Sequence, residues 1–223
     1  MSSHHIVKED QEPALIIANG ESCSFELLGQ LLEWSPKIIV LDNAIGRVLQ
    51  IGIKADVIIG DFDSITDKSL LQDIPYPIEI LHDSNQNTTD LEKGLFWLCD
   101  NNFSAANIIW ATGKRSDHTL NNFQSLFAFK DKLDLVVLDD YTKAIPVKRN
   151  FQRYYAKNTI ISLIPFGLVK RVKTIGLYYE LNNEDLESGI RSGSSNFVKE
   201  SGLVEISHEA GNLLLIESKD SVY

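Results

Sequence analysis

Up to Asp140, apolar residues fall in short unbroken runs, and the stretches between most of them carry helical spacing. The runs Ala14–Ala18, Lys37–Leu41, Asp56–Ile59, Ile78–Leu81, Asn107–Trp110 and Leu133–Leu138 read as buried strands. Phe25, Leu28, Leu31 and Leu32 fall on one helical face. Leu91, Leu95, Leu98 and Cys99 do the same, as do Leu120, Phe123 and Phe127. Thr89-Asp90-Leu91-Glu92 has the spacing of a capping box, which marks a helix start. Continuous apolar strands alternating with helices predict an α/β fold. Its sheet is mostly parallel and doubly wound, with helices on both faces.

After Tyr141 the pattern changes. Ala144–Lys148, Tyr154–Tyr155, Thr159–Ile164, Val172–Leu181, Leu203–Ile206 and Leu213–Ile216 read as strands, and Asn183–Ser188 has room for a short helix. Strands without crossover helices predict an antiparallel β-sandwich. The expected division is a flexible tail over residues 1–12, an α/β domain over 13–141 and a β domain over 142–223. A domain as short as the last has a marginal core on its own, so it is expected to pack on the first or on a partner chain.

Charge narrows the partners. The 223 residues hold 21 Lys+Arg against 31 Asp+Glu, a formal charge of −10. That balance disfavours broad electrostatic binding to nucleic acid or anionic membrane. No apolar run approaches the roughly 18 residues of a membrane span. The longest, Ile160–Leu168, is broken by Ser162, Pro165 and Gly167, and Met1–Pro13 lacks the apolar core of a signal peptide. Cys23 and Cys99 make no disulfide framework, and the five His show no zinc spacing. The cytoplasm is the expected location.

In an open parallel sheet, ligands bind beyond the carboxyl ends of the strands. Four strand ends here carry acids. Asp42-Asn43 follows one, and Gly60-Asp61-Phe62-Asp63-Ser64 the next. Thr88-Thr89-Asp90 ends a third loop, and Thr112-Gly113-Lys114-Arg115-Ser116-Asp117-His118 forms the fourth. Carboxylates within about 4–6 Å of one another resist joint ionisation. A hard divalent cation such as Mg²⁺, held by carboxylates and substrate phosphates, removes that conflict. Asp61 and Asp63, spaced i, i+2, point the same way if the chain stays extended. Lys114 and Arg115 are then placed to face phosphates. Each residue has a plainer reading. Asp-x-Asp suits a turn, Asp90 complements a helix dipole, Asp117 suits an N-cap, and Trp97 and Trp110 suit the core. Turn and capping needs do not, however, require acids at the same edge repeatedly. Neither G-x-x-x-x-G-K-[ST] nor a strand-borne G-x-G-x-x-G occurs.

Four motifs in this order resemble the thiamine pyrophosphokinase family over Ala14 to Ile216. They are Ile58-Ile59-Gly60-Asp61-Phe62-Asp63-Ser64, Gln86-Asn87-Thr88-Thr89-Asp90-Leu91-Glu92-Lys93, Gly113-Lys114-Arg115-Ser116-Asp117-His118-Thr119-Leu120-Asn121-Asn122, and Gly176-Leu177-Tyr178-Tyr179-Glu180-Leu181 with Ser194-Ser195-Asn196. The resemblance implies a homodimer with active sites at its interface. It further implies an α/β domain that binds Mg·ATP and a β-sandwich domain that binds thiamine. Asp61, Asp63 and Asp90 match the family's metal and phosphate positions. Asp42, Asn43, Thr89, Arg115, Asp117 and His118 match its ATP-binding positions, with Arg115 stabilising charge on the leaving side. Tyr179, Ser195 and Asn196 match its thiamine-side positions. The implied activity transfers the pyrophosphoryl group of ATP to the hydroxyl of thiamine. Departures fall at Asn43, Asn87 and Lys114, where the family carries Gly, Asp and Gly, and at Phe197, where it often carries an acid.

Two other readings stand beside it. In a haloacid-dehalogenase-type phosphatase, Asp61 would be the nucleophile and Asp139-Asp140 the later acids. Against that, the motif follows the third strand rather than the first. A nucleotide-binding module without turnover is the other.

Overall fold

The computed structural model describes residues 13–63 and 74–221. The expected tail over 1–12 and Ser64 lie outside the described residues. The chain divides into two compact units. One runs to Ser125 and adds Lys132–Asp139; the other comprises Leu126–Asp131 and everything from Asp140 onward.

The first unit holds β1 (Ala14–Ile17), α1 (Phe25–Leu32), β2 (Ile38–Leu41), α2 (Ala44–Gln50), β3 (Val57–Gly60), β4 (Glu79–His82), α3 (Asp90–Asp100), β5 (Ala105–Ile109), most of α4 (Ser116–Phe129) and β6 (Asp134–Leu138). The strand order is β4-β3-β2-β1-β5-β6, parallel throughout. Strands β1, β2, β3 and β5 are buried at every position, which explains the unbroken apolar runs of the first three; β5 carries the buried polar Asn107 in its middle. At the edge, β4 reads Glu-Ile-Leu-His and is largely exposed. The order reverses at β1, which has β2 on one side and β5 on the other. A crevice therefore opens beyond the carboxyl ends of these strands.

Two helical faces differ in detail from their expected positions. Helix α1 buries Leu27, Leu28 and Leu31 while Phe25 is exposed, because Ser24 caps the helix and fixes its rotation. Helix α4 exposes Leu120 and buries Leu126, Phe127 and Phe129. Helix α2 is an addition to the expected helices; it is seven residues long and buries Ala44, Ile45 and Val48 at helical spacing. Helix α3 follows its pattern closely. Leu91, Leu95 and Leu98 are buried, and Cys99 is a half-buried free thiol. Its capping box is complete. Thr89 Oγ1 accepts from the Glu92 N–H at 3.2 Å, and Glu92 Oε2 accepts from the Thr89 N–H at 2.8 Å.

The second unit carries β7 (Thr142–Pro146), β8 (Asn150–Tyr155), β9 (Thr159–Ile175), β10 (Asn182–Glu187), β11 (Gly193–Phe197), β12 (Gly202–Ser207) and β13 (Ala210–Ser221). Pairing within it is antiparallel. The strands expected at Thr159–Ile164 and Val172–Leu181 are joined: β9 takes in the first and Val172–Ile175 of the second, while Gly176–Leu181 lies beyond its end. Strand β9 runs through Pro165 and Gly167 and changes partners along its length. Its first part pairs with β13 and β11, and its last part with β12 and β10. Pro165 is tolerated because other β9 positions carry the ladder. The expected short helix at Asn183–Ser188 is instead β10. Leu186 is its one buried apolar side chain, and pairing to β9 satisfies its backbone. Among the described residues, no helix is long and apolar enough to cross a membrane.

Replacing Thr89 with Ala removes one half of the capping box. Stability should fall by about 1 kcal/mol, read as a lower urea midpoint with an unchanged slope.

Candidate functional site

The parallel register brings the strand ends level. Leu41 lies beside Ile59, Gly60 beside His82, and Ile109 beside both Ile17 and Leu138. The loops leaving these strands therefore share one edge. Asp42 turns directly off β2 with φ of 41°, its N–H donating to the Ile59 carbonyl at 2.8 Å. It is 9% exposed. Glycine is required beside it, because a Cβ on Gly60 would lie 2.9 Å from the Asp42 Cα. Gly20 does the same between β1 and β5. A Cβ there would lie 2.3 Å from the Thr112 carbonyl oxygen.

Asp61 and Asp63 do not sit on extended chain. Phe62 between them has φ of 55°, and Asp61 Oδ1 accepts from the Asp63 N–H at 3.2 Å. The side chain of Asp61 thus closes a turn, and Phe62 is buried against His82 at 5.9 Å. Asp61 Oδ2 accepts from Gln86 Nε2 at 3.1 Å. The Asp63 N–H, then the Gln86 bond, hold the Asp61 carboxyl below its ordinary pKa, with Lys93 and His82 adding in the same direction. Asp63 is exposed.

Asp90 opens α3. Burial pushes its pKa up, the charges of Asp42 and Asp61 push the same way, and Lys93 opposes them. Three carboxylates from three strand-end loops thus share one electrostatic field. Lys93 is the cation set among them. It is 6% exposed, its Nζ donates to the Asp83 carbonyl at 2.8 Å, and it lies 3.4 Å from Asp90 Oδ1. Nearby, the Thr88 hydroxyl oxygen is buried and has no hydrogen-bond partner among the described residues.

The remaining expected residues are more scattered. Thr89 is the cap of α3, and Asn43 stands at the N-cap of α2 without a side-chain cap bond. Arg115 pairs with Asp117 in a fork, with Nε 3.1 Å from Oδ1 and a second contact from NH2 to Oδ2. That bond holds Asp117 down to about 2. Because α4 begins at Ser116, Asp117 lies inside its first turn and is not the cap. Arg115, Asp117 and His118 are all exposed.

In the second unit, Tyr178, Tyr179 and Phe197 form an aromatic group. Tyr178 stacks on Phe197 at 4.6 Å and meets Tyr179 edge-on at 4.8 Å. Tyr178 and Tyr179 are 53% and 65% exposed, unusual for rings so grouped. Asn196 is buried behind them. Its Oδ1 accepts from the Tyr179 N–H at 3.0 Å and its Nδ2 donates to the Tyr179 carbonyl at 2.7 Å. Ser195 is exposed with φ of 55° and donates its N–H to Ser162 Oγ at 2.9 Å. Asn196 therefore shapes the turn that presents Tyr179.

Sequence reasoning gave no role to Lys93, Arg47, Tyr178 or Phe197. Lys93 had a signal, since it interrupts the buried face of α3 three residues after Asp90. Arg47 links three strand ends. It donates to Asn19 Oδ1 at 2.9 Å and Ser22 Oγ at 2.8 Å, and lies 4.4 Å over the Trp110 ring.

The donors at the strand edge are all hard oxygens, which suits a divalent cation such as Mg²⁺. Among the described residues, no three acids or other ligands already converge as a cage.

The family model described as "Thiamin pyrophosphokinase, catalytic domain" matches residues 28–137. The model described as "Thiamin pyrophosphokinase, vitamin B1 binding domain" matches residues 144–213. The thiamine pyrophosphokinase of Bacillus subtilis is 27% identical over 187 residues, 82% of this chain and 87% of the relative. Thiamine pyrophosphokinase 1 of Arabidopsis thaliana is 29% identical over 159 residues, 66% of this chain but only 60% of the relative's length. The crystal structure of the Bacillus subtilis protein superposes with a TM-score of 0.78 at 26% identity, covering 94% of this chain and 100% of that one. Yeast thiamin pyrophosphokinase shares the fold, with a TM-score of 0.81 over 95% of this chain and 87% of that one at 16% identity.

Burial and like charge make the ionised Asp90 unfavourable in the folded chain. Its folded pKa lies above its unfolded one, so its ionisation costs stability as pH rises through that window. Asp90→Asn should therefore raise the urea midpoint at neutral pH. Below the ordinary carboxylate range, where Asp90 is protonated in both states, it should change little.

Proposed function

The chain belongs to the thiamin pyrophosphokinase family, and from that premise we propose that it transfers the pyrophosphoryl group of ATP to the hydroxyl of thiamine. The products are thiamine diphosphate and AMP. The observation that carries this reading is the shared field of Asp42, Asp61 and Asp90 at the carboxyl edge of the parallel sheet.

The thiamine hydroxyl oxygen forms a bond to the β-phosphorus. The bond from that phosphorus to the oxygen bridging it to the α-phosphorus breaks, and AMP departs with the bridging oxygen. The hydroxyl proton passes to solvent. Such chemistry depends on positioning and charge stabilisation. Asp61, Asp63 and Asp90 would hold Mg²⁺, which when bound neutralises phosphate charge. Lys93 favours the charged forms of Asp61 and Asp90 before that charge arrives. Thr89 caps the start of α3 and Asn43 stands at the start of α2, beside which the phosphates would lie. Arg115, exposed and held by Asp117, would meet the leaving side, with His118 next to it. Asp42 would orient the attacking hydroxyl.

Thiamine carries a permanent cation. The exposed faces of Tyr178 and Tyr179 suit it, and Ser195 and Asn196 set the turn beside them. The finer layout belongs to the same proposal: helices on both faces of a doubly wound sheet, a C-terminal β-sandwich, and a cytoplasmic homodimer with active sites at its interface. Nothing observed favours a phosphatase or a module without turnover.

Incubation with Mg·ATP and thiamine should yield AMP and thiamine diphosphate in equal amounts. AMP no higher than in a thiamine-free control would refute the proposal. Asp61→Asn should lower kcat at least about a hundredfold with the fold intact by circular dichroism. Tyr178→Ala should instead raise the thiamine KM by roughly tenfold while leaving the ATP KM near its parent value.

A further inference from the structure

The second unit contains a pocket of about 560 Å³ that uses none of the residues assigned above. Lys130, Asp131, Lys148, Arg149, Asn150 and His208 line it. Three standing cations thus face one carboxylate, in a chain whose formal charge is −10. Two strand connections build the wall. Lys148 and Arg149 link β7 to β8, and His208 lies between β12 and β13, its N–H donating to the Arg149 carbonyl at 3.1 Å.

The cations are held rather than loose. Lys130 Nζ donates to Asn212 Oδ1 at 3.3 Å and to the Gly211 carbonyl at 3.4 Å. Burial lowers its pKa, Asp131 opposes that, and Arg149 adds to the lowering, so Lys130 and Arg149 lie within each other's field. His208 is 6% exposed. Its Nε2 lies 3.4 Å from the Val147 carbonyl, and its Nδ1 is buried with no hydrogen bond of good geometry. Burial first, and the charges of Lys130 and Arg149 with it, push its pKa down, while the backbone at Val147 and Ala210 opposes them. Fixed like charges around a concave surface call for an anion.

We propose that this pocket binds a small molecule carrying a phosphate or diphosphate group. An extended polyanion is disfavoured by the acidic remainder of the chain. The volume lies in the range of small-molecule sites. Arg149 supplies a planar fork that matches phosphate oxygens, and Lys130 and Lys148 supply point charges. The proposal does not rest on the transfer reaction, since it involves a different set of side chains.

The test is a titration of the full chain with inorganic phosphate, pyrophosphate and AMP, in EDTA, followed by the NMR signals of the His208 ring. A saturable shift is expected. It should be at least about tenfold weaker in Lys148→Glu/Arg149→Glu, and weaker also in Arg149→Glu alone. Both variants replace side chains at least partly open to solvent, so circular dichroism should be unchanged. Tighter binding of AMP than of phosphate would assign an organic occupant, and equal binding the inorganic ion. No saturable shift with any of the three, or unchanged affinity in both folded variants, would overturn the proposal.

Discussion

Carboxylates from separate loops meet at one edge of a parallel sheet, and their mutual repulsion is the constraint around which that edge is built. Asp90 records it most clearly, because burial, Asp42 and Asp61 all disfavour its charge. Lys93 offsets part of the repulsion from within α3, anchored on the Asp83 carbonyl. One cation cannot balance three carboxylates. The protein can keep such a cluster only if the rest of the fold holds it, or if a ligand supplies the missing positive charge. The capping box at Thr89 and the close approach of Gly60 to Asp42 are the parts that hold it.

Strands β1, β2 and β3 were legible in the sequence because every position in them is buried, so their apolar runs had no interruptions. Helix α3 was legible for a different reason: its cap and its buried face agree. What escaped was set by context. Helix α2 is only seven residues long, too short for its stripe of Ala44, Ile45 and Val48 to stand out, and β10 is polar, held by its pairing to β9 rather than by a periodic face. The long β9 read as two strands because Pro165 and Gly167 look like breaks, yet the strand changes partners there and continues.

The site was partly legible on the same terms. Asp42 and Asp61 stand just after apolar runs and Asp90 just inside the capping box, so the runs and the cap point to them. Their geometry could not be read that way. The left-handed turn at Phe62 makes Asp61 a turn-closing acceptor, and no spacing rule announces that. Lys93 interrupts the apolar face of α3, but its place among the acids shows only in its burial and in its bond to the Asp83 carbonyl. Tyr178 and Phe197 are brought together by the antiparallel bridge of Leu177 to Val198, a contact of residues distant in sequence. Asn196 changes meaning too, since both of its polar atoms serve the Tyr179 backbone.

The central claim is that the strand-edge acids accept polyphosphate only together with a divalent cation. Calorimetric titration of the full chain with ATP, with and without Mg²⁺, tests it most directly. The account predicts heat of binding with Mg·ATP, its loss when EDTA replaces the metal, and partial recovery of metal-free binding in Asp61→Asn/Asp90→Asn, where repulsion has been removed. Equal affinity for ATP in Mg²⁺ and in EDTA would contradict it.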